Sequence, residues 1–341
     1  MLQLVNTKNG GYDVLQVQEA PDLLPADDEL LIEVKASGLN FADVLARKGQ
    51  YQDAPPTPNV MGYEVSGVVS KAGAAVSGEW DGKEVIALCR FKGQASQVVV
   101  KESQAFLKPA TLSFEQAAAI PVNYLTAWVL LVTMGSLTAD ESVLIHNAGG
   151  GVGLAQLEIA RHIGAKTYGT ASAHKHEFLK NRGLDHAIDY RNNDWHTELM
   201  KLTENRGVDL ITDPIGGKEW KKSCSALRST GRMGMFGVSK ASVNTNGGLK
   251  GKLELIKAVL GMPKFHPLSL LDKNRGVFGV NLGHLWHEPG KAAVWMAELT
   301  KGVEEGWINP HIDTTFTLHQ AADAHRYLEE RKNIGKVVFT L

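Results

Sequence analysis

The segment from Glu141 to Gly164 constrains the fold of this chain more than any other part of it. Its sequence is ESVLIHNAGGGVGLAQLEIARHIG, with a short apolar run at Ser142 to His146 and four glycines between Asn147 and Gly153. An apolar run of that length is typical of a strand buried on both faces. Apolar residues then recur at helical spacing, and Gly164 is well placed to end the helix with a positive φ angle. The segment therefore predicts a strand, a glycine-rich turn and a helix in immediate succession.

This succession is how a parallel sheet holds a dinucleotide. The backbone approaches the pyrophosphate closely, and the helix N-terminus directs unpaired N–H groups at it. NAD, NADP or a flavin nucleotide is the expected ligand. The usual glycine fingerprint is matched only in part, because Ala148 stands at the first glycine position, with Gly150 and Gly153 at the later ones. A glycine-rich turn in another kind of α/β protein is the alternative, which the flanking strand and helix disfavour.

Length, charge and cysteine content narrow the class of protein. A chain of 341 residues is too long for one compact core and predicts two domains. Its 36 basic and 37 acidic side chains leave a net charge of -1, so no overall field attracts nucleic acid or an anionic membrane. Cys89 and Cys224 are too few for a disulfide framework. We expect a cytoplasmic protein, because no targeting leader and no apolar run of bilayer length is evident.

The hydrophobic pattern changes after Leu112. Before it, short alternating segments punctuated by Gly and Pro predict a small β-barrel-like domain. After it, strand and helix patterns alternate, as in a doubly wound sheet. The segment Ser239 to Asn274 is too long for an ordinary loop and carries many apolar residues. Two interpretations of this insert stay open: a lid over the active site that sets substrate size, or a surface helix packed on its own domain.

Several motifs resemble the medium-chain dehydrogenase/reductase superfamily across nearly the whole chain. They are HNAGGGVG, GTASAHKHEF, GVDLITDPIGG, GRMGMFG and NIGKVVF. Within the superfamily, ASGLNFADVLARKGQY resembles the zinc-free quinone oxidoreductase, or zeta-crystallin, group, and VNYLTAW, INPHIDT and KNIGKVV resemble its vesicle amine transport protein branch. The resemblance implies an α/β fold in which a doubly wound Rossmann domain, residues 124–283, is inserted in a GroES-like β-barrel domain, residues 1–123 and 284–341. It also implies that nicotinamide and substrate bind in a cleft between the domains.

The resemblance also bears on metal binding. Zinc-dependent relatives place a cysteine, a His-Glu pair and a later cysteine or acid at positions that match Asn40, Tyr63-Glu64 and the stretch Val122 to Thr126. An amide and a phenol are poor zinc ligands, so we expect no metal. Without a Lewis acid, alcohol dehydrogenation loses its usual chemistry. Hydride transfer to a conjugated acceptor needs mainly position and a hydrogen-bond donor.

The resemblance assigns Asn40 and Tyr51 to the catalytic site, where either side chain could donate to the developing oxyanion. From the residues alone, structural roles are favoured: Asn40 as a helix cap, Tyr51 as a half-buried tyrosine and Thr126 as a helical threonine. The glycine-rich turn contributes Gly150, Gly151, Val152 and Gly153 to the predicted cofactor site, and the resemblance adds Asn40, Thr126, Tyr190, Gly237, Phe278 and Asn333.

The end of the second nucleotide-binding strand decides between NAD and NADP. NAD-binding proteins usually carry an acid there for the ribose 2′-hydroxyl. This chain has no carboxylate until Glu177, whereas Ser172 can donate a hydrogen bond and Lys175 supplies a cation for a 2′-phosphate. The alternative is a solvated helix start. We therefore predict that the cofactor is NADPH.

The predicted function is an NADPH-dependent, zinc-independent quinone reductase. Reduction of enones, 2-alkenals or enoyl groups is the close alternative, because all use the same hydride geometry. A non-catalytic NADPH-binding protein with a structural or membrane-associated role is the alternative from another class. The resemblance further implies a homodimer that pairs through the strand Gly276 to Asn281, since pairing satisfies otherwise exposed edge groups.

Overall fold

A computed structural model describes residues 1–239 and 261–341 of the chain. The chain divides into two compact units: a first unit of residues 1–125 and 282–341, and a second unit of residues 126–281. The predicted boundaries, 123/124 and 283/284, each lie two residues from the boundaries between these units. The predicted α/β class, with a β-rich unit and a doubly wound parallel sheet in the other unit, is confirmed.

The described strands, in chain order, are β1 (Leu2–Asn6), β2 (Leu15–Glu19), β3 (Glu29–Leu39), β4 (Asn59–Val60), β5 (Glu64–Ala72), β6 (Glu84–Leu88), β7 (Gln97–Lys101), β8 (Ala105–Leu107), β9 (Ser142–Ile145), β10 (Lys166–Ala171), β11 (His186–Asp189), β12 (Val208–Asp213), β13 (Leu227–Met235), β14 (Gly276–Gly279), β15 (Ile312–Thr317) and β16 (Lys336–Thr340). The described α-helices are Phe41–Arg47, Phe114–Ala118, Pro121–Trp128, Gly151–Ile163, His176–Asn181, Trp195–Leu202, Lys218–Ser225, Pro267–Lys273, Pro289–Glu304 and Ala321–Glu329.

The main sheet of the first unit runs in the order β15-β16-β3-β5-β6-β8, and β7 also pairs with β3. Alternating apolar side chains of these strands, among them Leu30, Ile32, Val65 and Val85, form a fully buried core. The strand β16, near the end of the sequence, pairs antiparallel with β3, and Val337 lies opposite Leu39. This register brings residues from both ends of the sequence to one corner of the sheet.

The sheet of the second unit runs in the order β11-β10-β9-β12-β13-β14, and all its pairs are parallel. This is the doubly wound dinucleotide-binding order, in which the chain reverses direction across the sheet between β9 and β12. The short strand β9 is buried because sheet neighbours flank it on both sides and its apolar side chains pack into the core. The predicted alternation of strands and helices is therefore confirmed.

Two predictions concern the surface of the second unit. In the described part of the chain, β14 pairs on one side only, with β13, so it is an edge strand there. The homodimer through this strand stays a prediction. Most of the predicted lid, residues 240–260, lies outside the described residues. In its described remainder, Phe265 packs on the core of the second unit, while Leu268 and Leu271 of the helix Pro267–Lys273 are 67% and 71% exposed.

No helix among residues 1–239 and 261–341 combines the length and the apolar character that crossing a bilayer requires.

Candidate functional site

The glycine-rich turn has the geometry that its sequence predicts. The helix Gly151–Ile163 begins directly after Gly150 and ends at Gly164, whose φ of 91° is the predicted left-handed cap. A Cβ atom added at Gly153 would lie 2.4 Å from the carbonyl oxygen of Asn147, so only glycine lets the helix approach the turn this closely. The N–H groups of the first helical turn, from Gly151 to Gly153, lie at the N-terminus of this helix, the end of a helix that favours anions.

Lys175 lies against the same turn. A Cβ atom added at Gly149 would come within 2.8 Å of Lys175 Cδ, so the lysine stem passes directly over that glycine. Ser172 follows the end of β10 and accepts, through its carbonyl, a 2.9 Å hydrogen bond from the N–H of Lys175. Both residues are 5% exposed. The structure therefore brings a hydroxyl and a cationic side chain to the edge of the sheet that carries the glycine-rich turn.

The remaining predicted cofactor residues of the second unit are distributed along the sheet. Tyr190 directly follows β11, and Gly237 follows β13 with Pro214 close enough to limit a side chain there. The ring of Phe278 in β14 covers Gly234 of β13. Thr126 lies buried in the helix Pro121–Trp128. Because the strands are parallel, the turn, Ser172 and Tyr190 share the carboxyl edge of the sheet.

The predicted site residues of the first unit are Asn40, Tyr51 and Asn333. Asn40 follows β3 and precedes the helix Phe41–Arg47. Its amide nitrogen Nδ2 donates a 2.8 Å hydrogen bond to Glu64 Oε1, and its oxygen Oδ1 accepts a 2.7 Å hydrogen bond from Lys336 Nζ. Asn333 Nδ2 donates to the carbonyl of Gly335 at 2.8 Å. Tyr51 lies edge-on to Tyr63, the residue that precedes Glu64.

A buried ion pair lies beside the Asn40 amide. Lys336 Nζ donates to Glu64 Oε1, and Glu64 Oε2 accepts a 2.7 Å hydrogen bond from the N–H of Val122. The side chains of Glu64 and Lys336 are 0% and 4% exposed. We name Asn40, Glu64 and Lys336 the buried triad. The two charges fix the orientation of the amide, because a flipped amide would face its nitrogen to the ammonium and its oxygen to the carboxylate.

The buried triad also limits what Asn40 can donate. One Nδ2 hydrogen is used by Glu64, and Nδ2 lies 3.4 Å from the carbonyl oxygen of Gly38, which is a long hydrogen bond. A stronger acceptor could take that second hydrogen. The backbone N–H of Asn40 is held by the fully buried Asp43, whose carboxylate accepts it at 2.8 Å. Burial raises the pKa of Asp43 to about 7, although its hydrogen bonds from Asn40 and Gly62 act in the opposite direction.

Tyr51 lies in an aromatic neighbourhood. The centroid of its ring is 6.1 Å from that of Tyr63, which in turn is 5.3 Å from Phe91. Burial raises the pKa of the Tyr51 phenol above its ordinary value, and the nearby Asp53 acts in the same direction. The phenol is therefore protonated at neutral pH and is able to donate a hydrogen bond.

Sequence reasoning missed Lys336 and the connection of Glu64 to Asn40. The signal available was a lysine at the head of the apolar run KVVF, since a charge that begins a buried strand needs a partner. Nothing in the spacing identifies Glu64 as that partner, because the two residues are 272 positions apart.

The donor set at this corner does not fit a zinc ion. Asn40 offers an amide, Tyr63 a phenol, and the carboxylate of Glu64 is already neutralised by the ammonium of Lys336. Over residues 1–239 and 261–341, no group of three or more His, Cys, Asp and Glu side chains is arranged to hold a metal ion.

Comparison with known proteins identifies the family of this chain. The family models described as "Alcohol dehydrogenase GroES-like domain" and "Zinc-binding dehydrogenase" match residues 26–126 and 182–339. The human synaptic vesicle membrane protein VAT-1 homolog is 38% identical over 338 residues, which are 98% of this chain and 85% of the relative.

Solved structures agree with these matches. Escherichia coli quinone oxidoreductase, solved in complex with NADPH, superimposes with a TM-score of 0.87 and 29% identity over 100% of both chains. The CurK enoyl reductase superimposes with a TM-score of 0.86 and 30% identity over 99% of this chain and 98% of its own. The chain therefore belongs to the medium-chain dehydrogenase/reductase superfamily, among the relatives of VAT-1 and of the quinone oxidoreductases.

Proposed function

We propose that this chain is an NADPH-dependent reductase that transfers hydride to a quinone without using zinc. The observation that carries the proposal is Lys175, a nearly buried cation whose stem lies over Gly149 of the glycine-rich turn. A cation at this position favours a phosphate, and no acid stands at the end of β10 to favour a free ribose hydroxyl. The E. coli quinone oxidoreductase solved with NADPH supports both the cofactor and the reaction class.

Two sets of groups in the second unit would bind the two charged parts of NADPH. The N–H groups at the start of the helix Gly151–Ile163 would hold the pyrophosphate, and Ser172 with Lys175 would hold the 2′-phosphate. NADPH bound there would supply the hydride. Thr126, Tyr190, Gly237, Phe278 and Asn333 stay predicted contacts.

Tyr51 is the proposed hydrogen-bond donor to the acceptor oxygen. A neutral phenol can donate to the charge that develops as a quinone takes up hydride, and the raised pKa of Tyr51 keeps it in that form. Asn40 stays the second predicted donor, with its amide orientation fixed by the buried triad. The final proton could come from water, so no separate acid is assigned.

Zinc independence is part of the proposal, and it gives a direct prediction. Because Lys336 supplies the cation at the corner of Asn40 and Glu64, protein purified without added metal should contain well under about one zinc per chain. Elemental analysis measures this. Treatment with a chelator should leave thermal stability unchanged. Zinc in a one-to-one ratio with the chain would contradict the prediction.

Steady-state oxidation of NADPH with a panel of acceptors tests the reaction. We expect turnover with quinones. The likeness to the CurK enoyl reductase makes enones, 2-alkenals and enoyl thioesters the necessary comparison acceptors. Turnover with these acceptors and not with quinones would mean that the substrate is an activated double bond rather than a quinone. NADPH binding with no turnover of any acceptor would favour a non-catalytic role, the one that fits relatives named as vesicle membrane proteins.

A further inference from the structure

A continuous chain of hydrogen bonds crosses the second unit beneath the glycine-rich turn. His146 Nδ1 lies 3.0 Å from Thr170 Oγ1, and His146 Nε2 lies 3.2 Å from Ser223 Oγ. Ser223 Oγ in turn donates to Asp213 Oδ2 at 2.6 Å. At the other end, Thr170 Oγ1 accepts a 3.3 Å hydrogen bond from the backbone N–H of Asn147. We name His146, Thr170, Ser223 and Asp213 the histidine chain.

The histidine chain admits one consistent arrangement of protons. Since Ser223 donates its hydrogen to Asp213, its oxygen must accept from His146, so Nε2 carries the hydrogen. Nδ1 is then an acceptor and takes the hydroxyl hydrogen of Thr170. All the bonds point from the turn toward the carboxylate. His146 is therefore neutral in this arrangement, and burial lowers its pKa, although Asp213 and Glu219 act in the opposite direction.

These residues do not form a nucleophilic site. The carboxylate contacts the serine rather than the histidine, so it does not orient the imidazole as a general base would require. The side chains are also closed to any substrate, because Ser223 and Asp213 are 0% exposed and His146 is 1% exposed. The residues of the histidine chain can therefore act only by positioning the backbone groups to which they are hydrogen-bonded.

The backbone at both ends of the histidine chain lies where a dinucleotide binds. One end is Asn147, the first residue of the glycine-rich turn, which adopts a left-handed φ of 55°. At the other end, Asp213 Oδ1 accepts a 2.7 Å hydrogen bond from the N–H of Ile215, in the loop after β12. The histidine chain thus ties together the carboxyl ends of β9, β10 and β12, and β9 and β12 flank the point where the strand order reverses.

We propose that His146 is a positioning residue for the cofactor, which holds the glycine-rich turn in the conformation that receives the pyrophosphate. This inference rests on the proposed NADPH binding. Asn147 adopts a left-handed φ, which asparagine tolerates better than other residues with a side chain, and its N–H is held by Thr170 Oγ1, so the histidine chain fixes the first residue of the turn in this conformation. Thr170 accepts the hydrogen bond from the N–H of Asn147, and His146 in turn fixes the hydroxyl of Thr170.

Direct NADPH binding, followed by the fluorescence of its nicotinamide, tests the proposal independently of turnover. Ser223→Ala removes one link of the histidine chain and should weaken NADPH binding by about fivefold, the equivalent of one net hydrogen bond. His146→Phe keeps an aromatic ring against Trp195 but removes both links, and should weaken binding by about tenfold or more. His146→Gln, which retains one donor and one acceptor, should recover part of that loss.

Ser225→Ala is the matched control, because Ser225 lies on the same helix, is exposed, and bonds His196 and the carbonyl of Lys222 instead. It should leave the Kd of NADPH unchanged. A positioning role also predicts that kcat at saturating NADPH stays within about twofold while KM rises. A folded Ser223→Ala protein that binds NADPH like the wild type would overturn the proposal. A wild type that does not bind NADPH would overturn the proposed function and this inference with it.

Discussion

Replacing Lys336 with methionine is expected to lower the free energy of unfolding by about 3–5 kcal/mol. The substitution keeps the length and most of the apolar stem of the side chain but removes the ammonium that neutralises Glu64. Glu64 is 0% exposed, so its carboxylate would remain buried, and among the described residues it would keep the amide of Asn40 and the N–H of Val122 as hydrogen-bond partners. Urea unfolding followed by circular dichroism measures the loss.

The chain offers a matched control for this substitution. Lys301, in the helix Pro289–Glu304, pairs with Glu305, the residue directly after the helix, and the two side chains are 64% and 48% exposed. Lys301→Met should therefore change the stability by less than about 0.5 kcal/mol. The double variant Glu64→Gln/Lys336→Met should be more stable than Lys336→Met alone, because no uncompensated charge remains buried. If Lys336→Met and Lys301→Met lower the free energy of unfolding by the same amount, the buried ion pair contributes no more to stability than an exposed one.

Much of the fold could be predicted from the sequence because the deciding signals are local. The strand β9, the glycine-rich turn and the helix Gly151–Ile163 are contiguous, and each is specified by its own residues. The alternation of strand and helix patterns then implies a parallel sheet, since parallel strands require crossover connections. The position of Ser172 and Lys175 beside the glycine-rich turn was predictable for the same reason, because the carboxyl ends of neighbouring parallel strands lie at the same edge of the sheet, whereas their role toward the cofactor stays a prediction.

The buried triad and the histidine chain could not be predicted, because they depend on contacts between distant parts of the sequence. Lys336 Nζ and Asn40 Oδ1 are joined across 296 positions, and His146 and Ser223 across 77. Sequence alone shows that Lys336 begins an apolar strand and that His146 ends one. It does not show which carboxylate or hydroxyl lies opposite, since that depends on the register of β16 against β3 and on how the helix Lys218–Ser225 packs.

Lys175→Glu is expected to weaken NADPH binding by about one to two orders of magnitude, because a charge-assisted hydrogen bond to a phosphate contributes about 1.5–3 kcal/mol. The new carboxylate would also repel the 2′-phosphate, so the loss should lie at the upper end of that range or beyond it. NADH has no phosphate at that position, and its affinity should change far less. The Kd values of both cofactors, measured by nicotinamide fluorescence, give the preference directly.

Lys180→Glu separates this local effect from a general change of charge. Lys180 lies on the next helix, His176–Asn181, and is exposed, so the same reversal of charge occurs away from the glycine-rich turn. Its effect on NADPH should be small and should disappear at high salt, because exposed charges are screened. The Lys175→Glu effect should persist there, since Lys175 is 5% exposed and lies against Gly149. An equal loss of NADPH and NADH affinity in Lys175→Glu would mean that the substitution distorts the turn, and Lys175 would then have no selective role toward the 2′-phosphate.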